Sequence, residues 1–117
     1  MSDPATIDPA TFAELQDAAG TDFVKDLVQT FLEEAPVMLK ELRDAQAAGN
    51  ADAFRRAAHS LKSNSLTFGA LQLGAMAREL ELGGLAAAAA QPSPNALDAL
   101  QAEYARVESA LKELTHG

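Results

Sequence analysis

Residues 21–47, TDFVKDLVQTFLEEAPVMLKELRDAQA, decide the fold, because their apolar side chains recur at steps of three and four residues. This spacing puts the apolar side chains on one face of an α-helix, which has about 3.6 residues per turn. The stripe continues across Pro36, so we expect the proline to kink the helix without ending it. The face predicted to be buried consists of Val24, Leu27, Val28, Phe31, Ala35, Met38, Leu39 and Leu42.

The rest of the chain has the same helical period, and no segment alternates as a β-strand would. A short first helix is predicted to begin at Asp8-Pro9, an N-cap followed by proline, and to end at Gly20. Thr21 is predicted to cap the long helix, and Asn50 the helix after it. The later helices are expected over residues 51–68, from Gly69 to a weaker stretch at Gly83-Gly84, and from Ser93-Pro94 onward.

The last helix carries an apolar seam at alternating steps of three and four residues, formed by Leu97, Leu100, Tyr104, Val107, Leu111 and Leu114. Such a seam is typical of helices that pack in a bundle. Four long amphipathic helices joined by short loops predict an all-α protein, an antiparallel four-helix bundle with a short additional N-terminal helix. With a chain of 117 residues, we expect positions 1–117 to form a single domain.

The composition excludes several classes of function. A net charge of -8 at pH 7 argues against a nucleic-acid partner, because phosphate binding needs a surplus of Lys and Arg. No apolar run approaches the roughly 20 residues that span a bilayer, and the N-terminus lacks the pattern of a signal peptide. The absence of cysteine excludes disulfides and fits a reducing cytoplasm. We expect a cytoplasmic monomer with no membrane partner, and the start at Met1 favours a free-standing protein.

The charges are unevenly distributed along this acidic chain. Between Ala53 and Arg78 there is no Asp or Glu, although the whole sequence contains 17 of them. A neutral-to-basic region in an acidic protein would attract an anionic group or an acidic partner surface. The basic side chains of this region, which surround His59, are Arg55, Arg56, Lys62 and Arg78.

His59 lies off the buried stripe of the third helix and is predicted to face solvent. Lys62, three residues later, would bring a cation within reach of an anion attached to the imidazole. Ser63 is small and would leave the ring accessible to a bulky partner, and Leu66 is an apolar residue on the same exposed face, as a docking surface requires. The simpler alternative is an inert histidine on a solvated helix face, and composition and spacing leave both interpretations open.

Histidine-containing phosphotransfer (HPt) domains have a signature that this sequence resembles in the run His59-x-Leu61-Lys62-Ser63-x-Ser65-x-x-Phe68-Gly69-Ala70. In the family, His-x-Leu-Lys-Gly/Ser is followed by small residues and by a glycine ten positions after the histidine. The segments IDPATFAELQDAAG, TFLEEAPVMLKELRDAQAAGN and ARELELGG also resemble the family. The similarity covers nearly the whole chain from Ile7, while residues 83–95 and the last helix match by pattern alone. Ser63 stands where many members have glycine, and it is similarly small.

The resemblance implies a histidine phosphotransfer protein of a two-component phosphorelay. His59 would accept a phosphoryl group through Nε2 from an aspartyl phosphate on a response-regulator receiver domain and pass it to another receiver. Lys62 would contact the phosphoryl oxygens, with Arg55 and Arg56 as weaker helpers. The partners implied are receiver domains, which supply the metal ion, and a hybrid histidine kinase.

The resemblance also assigns roles to two residues outside the third helix. Family members place a Gln or Glu where it can bond imidazole Nδ1, and the matching residue here is Glu81, 22 positions after the histidine. Alternatively, Glu81 is a surface acid paired with Arg78. Gly69 is interpreted as structural, since a glycine there would close the helix that carries His59.

The sequence favours a phosphocarrier that is not itself an enzyme. It contains no ATP-binding motif of a histidine kinase and no His-x-x-x-His spacing for a metal, and its one Glu-x-x-His, from Glu113 to His116, lies in the terminal tail. We expect neither a resident metal nor a cofactor. The competing hypothesis is a non-catalytic helical interaction module that docks a signalling partner without phosphotransfer. The presence of both His59 and Lys62 favours phosphotransfer.

Overall fold

The protein is an all-helical bundle in the computed structural model, which describes residues 6–89 and 96–115. Within those ranges no β-strand occurs, and the helices are α1 (Pro9–Ala19), α2 (Thr21–Ala48), α3 (Ala51–Thr67), α4 (Leu71–Ala89) and α5 (Ala96–Thr115). Helix α3 packs against α2 and α4, and α5 packs against α4 and α2, which closes the bundle. The short helix α1 lies against α2 and α3. The prediction of a four-helix bundle with a short additional helix is confirmed. The predicted helix start at Ser93-Pro94 lies outside the described residues.

The helix starts follow from local capping, with one correction to the sequence interpretation. The Asp8 side chain accepts a bond from the Thr11 amide at 3.0 Å, and Asn50 caps α3, as expected. Thr21 does not cap α2, because Gly20 already holds that position with φ 94°. The Gly20 amide donates to the last turn of α1, and its carbonyl accepts the first bond of α2 from Val24 at 3.0 Å. One glycine therefore ends one helix and begins the next.

The core is formed by the apolar stripes that the helical period predicts. Pro36 is exposed and lies inside α2, which continues to Ala48, so the proline does not end the helix. Leu27 and Met38 are only partly buried, at the edge of the stripe. The other predicted members of the α2 stripe are fully buried: Val24, Val28, Phe31, Ala35, Leu39 and Leu42.

The seam of α5 is buried from Leu97 to Leu111, but it is one position shorter than predicted. Leu114 is 48% exposed, one residue before α5 ends at Thr115. None of the helices in the described ranges has the length and apolar composition needed to cross a bilayer.

Aromatic rings join α2, α5 and the end of α3 in the core. The Phe31 ring centroid is 5.3 Å from that of Phe68 and 6.1 Å from that of Tyr104. Burial raises the pKa of Tyr104 to about 12, with a further contribution from the Glu108 charge. The phenol is therefore neutral at pH 7, and its hydroxyl donates to the Leu32 carbonyl at 3.4 Å.

Gly69 occupies the turn between α3 and α4 and has φ 83°, in the region that favours glycine. Its carbonyl accepts a bond from the Asp8 amide at 2.8 Å, which ties the start of α1 to this turn. A Cβ at position 69 would lie 3.0 Å from the Asp8 carbonyl oxygen and 3.1 Å from Thr11 Cβ. Backbone conformation and close packing therefore both require glycine at the turn that joins α3 to α4.

We expect Gly69→Ala to destabilise the protein more than Gly49→Ala. Gly49 also has positive φ, but a Cβ there would meet nothing within 4 Å, so Gly49→Ala should cost only the conformational strain of about 1 kcal/mol. Gly69→Ala should cost a further ~1–3 kcal/mol, because the methyl group is forced against α1. Urea unfolding of the two variants measures the difference. Equal losses would show that the contact with α1 is unimportant.

Candidate functional site

The site is built across α3 and α4, where an imidazole meets a carboxylate. His59 is on the outer face of α3, and its side chain is 57% exposed. Its Nδ1 lies 2.6 Å from Glu81 Oε2 on α4. The flanking α3 residues Ala58 and Leu61 are fully buried, so the helical period itself directs His59 outward.

Lys62 shares the same carboxylate. Its Nζ donates to Glu81 Oε1 at 2.7 Å, so the two carboxylate oxygens bridge the lysine and the histidine. The Lys62 side chain is only 22% exposed, less than the solvent-facing position expected from the sequence. The cause is this ion pair, because the ammonium is drawn toward α4 and the aliphatic part of the side chain is covered.

The charge state of Glu81 follows from these two neighbours. The Lys62 ammonium, and then the His59 ring, hold the pKa of the Glu81 carboxyl below its usual 4.5, so the group is ionised at pH 7. An ionised carboxylate can only accept hydrogen bonds, so the short contact requires a hydrogen on His59 Nδ1. In the neutral ring the lone pair then lies on Nε2. The arrangement therefore selects the tautomer whose second nitrogen is nucleophilic.

The alternative pairing of Glu81 with Arg78 is not what the structure contains. Across residues 6–89 and 96–115, the ion pairs of Glu81 are those with His59 and Lys62. Arg78 is exposed. Glu81 is therefore part of the histidine site and is not merely a surface acid paired within α4.

The remaining predicted residues surround this cluster without joining it. Arg55 bonds to Asp52 at 2.9 Å within α3. Arg56 lines a groove between α2 and α3, next to Ser60. Ser63 is exposed, one turn after His59, and Leu66 is 41% exposed one turn further along. The cluster itself thus consists of His59, Lys62 and Glu81. The four residues just described lie elsewhere along α3.

The sequence interpretation did not anticipate the bond between Lys62 and Glu81. It assigned Lys62 to an attached anion and Glu81 to the imidazole, as separate roles. The available signal was the spacing on α3, where His59 and Lys62 are one turn apart and so can reach one residue on a neighbouring helix. Within the described ranges, the structure contains no group of three or more His, Asp and Glu side chains that could hold a metal ion.

Comparison with known proteins gives the family. The model of the Hpt domain matches residues 26–110, a segment that contains His59, Lys62 and Glu81. The chain belongs to the Hpt domain family. Its function is histidine phosphotransfer in a two-component phosphorelay, and the partners of such Hpt proteins are receiver domains and histidine kinases.

A solved Hpt structure agrees with this assignment. The chain is similar to the crystal structure of histidine-containing phosphotransfer protein B (HptB) from Pseudomonas aeruginosa PAO1, with 30% sequence identity and a TM-score of 0.83 over 94% of each chain. No curated protein matches the chain. The comparisons support an Hpt phosphocarrier and give no support to an interaction module without phosphotransfer.

The charge of Glu81 in this Hpt domain can be tested by acid titration. Lys62→Ala removes the larger cause of the lowered pKa, so the titration midpoint of the Glu81 carboxyl should rise toward 4.5. A carboxylate with a lowered pKa stabilises the fold above its ordinary pKa, and this contribution is lost as the pH falls through the folded value. In Lys62→Ala, the stabilisation that the ionised Glu81 carboxylate gives to the fold should therefore be lost at a higher pH than in the parent.

Carbon-13 NMR of the Glu side-chain carboxyl groups measures this midpoint. Lys40→Ala is the matched control, because Lys40 pairs with Asp44 on α2 and should leave the Glu81 midpoint unchanged. An unchanged midpoint in Lys62→Ala would contradict the bridging role of Glu81.

Proposed function

We propose that His59 is the residue of this Hpt domain that carries the phosphoryl group. The observation that supports it is the exposed imidazole whose Nδ1 is held 2.6 Å from an ionised Glu81 carboxylate. This bond fixes the ring and its tautomer, as the partner of a reactive histidine must. The exposed ring leaves room for a whole receiver domain to approach.

The proposed transfer proceeds from the receiver to His59 by in-line displacement. The Nε2 lone pair attacks the phosphorus of an aspartyl phosphate, the bond between phosphorus and the aspartate oxygen breaks, and the receiver recovers its carboxylate. The ring retains the hydrogen on Nδ1 and becomes positively charged. The Glu81 carboxylate opposite Nδ1 stabilises that charge. Transfer to a second receiver is the reverse of these steps.

Lys62 is proposed to contact the phosphoryl oxygens once they are attached to His59. Its ammonium has three N–H donors, of which the Glu81 bond uses one, so it can keep Glu81 and still donate to the phosphoryl group. A phosphoryl group also carries more negative charge than one carboxylate and attracts the ammonium more strongly. Charge-assisted bonds of this kind are the strong ones in proteins.

The exposed face of α3 around His59 is proposed to dock the receiver. Ser63 leaves the ring accessible, Leu66 offers apolar area, and the exposed Arg55 and Arg56 are proposed to attract an acidic partner. The receiver is proposed to supply the metal ion and most of the groups that catalyse transfer. That the protein is a cytoplasmic monomer of one domain over positions 1–117 stays a prediction from the sequence.

His59→Gln should accept no phosphoryl group from a receiver charged with acetyl phosphate, because glutamine has no nucleophilic ring nitrogen. The parent should gain an acid-labile, alkali-stable phosphoryl group, measured by radiolabel transfer. His116→Gln, which changes the other histidine of the chain, is the matched control and should be labelled like the parent. Labelling of His59→Gln, or failure of the parent with every receiver offered, would refute the proposal.

Lys62→Ala should slow transfer from a phosphorylated receiver by about tenfold or more, because a charge-assisted bond contributes about 1.5–3 kcal/mol. Lys40→Ala controls for the loss of one positive charge. To separate direct contact from an effect through Glu81, the same change is made in a Glu81→Gln background. A lysine that contacts the phosphoryl group slows transfer in both backgrounds. If Lys62→Ala slows transfer in the parent but not in the Glu81→Gln background, the role of Lys62 is limited to holding the Glu81 carboxylate.

A further inference from the structure

Gly74 is a buried glycine within α4 whose backbone does not require glycine. Its φ is not positive, and glycine in a helix interior costs about 0.5–1 kcal/mol relative to alanine by general propensity. The reason for glycine lies on the neighbouring helix. A Cβ at position 74 would lie 2.6 Å from Leu66 Cδ2 and 2.9 Å from Leu66 Cγ. Leu66 therefore occupies the space that a side chain at position 74 would fill.

The pair Leu66–Gly74 is in register with the pair His59–Glu81. Position 66 is seven residues after 59 on α3, and position 74 is seven residues before 81 on the antiparallel α4. Seven residues are close to two helical turns, or about 10 Å along the axis. Leu66 thus lies on the same face as His59, with one side in the notch at Gly74 and the other, 41% of the residue, open to solvent.

A methyl group at position 74 would act on the Leu66 side chain and not on the helix spacing. The nearest α3 backbone atom to such a Cβ is the Lys62 carbonyl oxygen at 3.7 Å, an ordinary van der Waals distance. The conflict at Cγ means that χ1 of Leu66 must change, and a helical leucine has few rotamers to choose from. Leu66 would then swing out to solvent, while the backbone under His59 stays in place.

We propose that Gly74 is a positioning residue for receiver docking, because its notch holds Leu66 in one rotamer beside the approach to His59. The inference rests on the proposed function, since the receiver that charges His59 is the partner. An apolar side chain already ordered against α4 loses less freedom when the partner covers it than one moving in solvent. The notch therefore lowers the cost of docking without touching the reacting atoms.

The test compares four full-length proteins: the parent, Gly74→Ala, Leu66→Ala and the double variant. Gly74→Ala should raise KM for a phosphorylated receiver about three- to tenfold, with little change in kcat. In the Leu66→Ala background the same change should alter KM by less than about twofold, because no side chain remains to be displaced. Urea unfolding verifies that each variant folds.

NMR supplies a readout that does not depend on a receiver. The parent should show contacts between the Leu66 methyl groups and the Gly74 α-hydrogens. In Gly74→Ala, the Leu66 methyl groups should show no contacts to residue 74, and the His59 ring nitrogen shifts should match the parent.

If the parent takes no phosphoryl group from any receiver, the proposed function fails, and that failure is visible without any variant.

The inference fails under different results, all with an active parent. An equal rise in KM with and without the Leu66 side chain would show that Gly74 acts through helix packing. An unchanged KM in Gly74→Ala would show that Leu66 needs no fixed position. A shift of the His59 ring nitrogens in Gly74→Ala would place the effect at the imidazole, which also overturns it.

Discussion

The proposed functional surface depends on one carboxylate, that of Glu81, which joins α3 to α4. Its two oxygens meet His59 Nδ1 at 2.6 Å and Lys62 Nζ at 2.7 Å. These contacts keep the carboxylate ionised, orient the ring and hold the lysine against the bundle. An exposed histidine would otherwise sample several rotamers and both tautomers. The ring nitrogen proposed to react is thus defined by a residue on a different helix from the histidine itself.

The register of α3 against α4 is what allows that contact. Gly69 sets the turn between the two helices, and the Asp8 amide fastens α1 to it at 2.8 Å. Further along, the Leu66 side chain fits over Gly74, and His59 faces Glu81 in the same row. The bundle therefore supports the site through backbone fit at the turn and side-chain fit along the helices.

The fold could be predicted from helical periodicity because each apolar stripe is a local property of the chain. The same reasoning placed His59 outside the core. It was wrong at Thr21, where Gly20 serves as the cap, and at Leu114, which is exposed at the end of α5. Glu81 came from resemblance to a family, since periodicity does not fix the register between two helices. The Lys62 contact was missed for the same reason.

The ion pair between Lys62 and Glu81 has an energetic consequence for a protein that must both accept a phosphoryl group and pass it on. On its proposed role, the ammonium is already neutralised by Glu81 before the reaction begins. The free energy that Lys62 contributes to attachment is therefore only a difference, between the ammonium bound to Glu81 alone and the ammonium that also contacts the phosphoryl group. A carrier built in this way dissipates little of the free energy of the relay when it accepts the phosphoryl group. The relative abundance of charged and uncharged receivers would then set the direction of net flow.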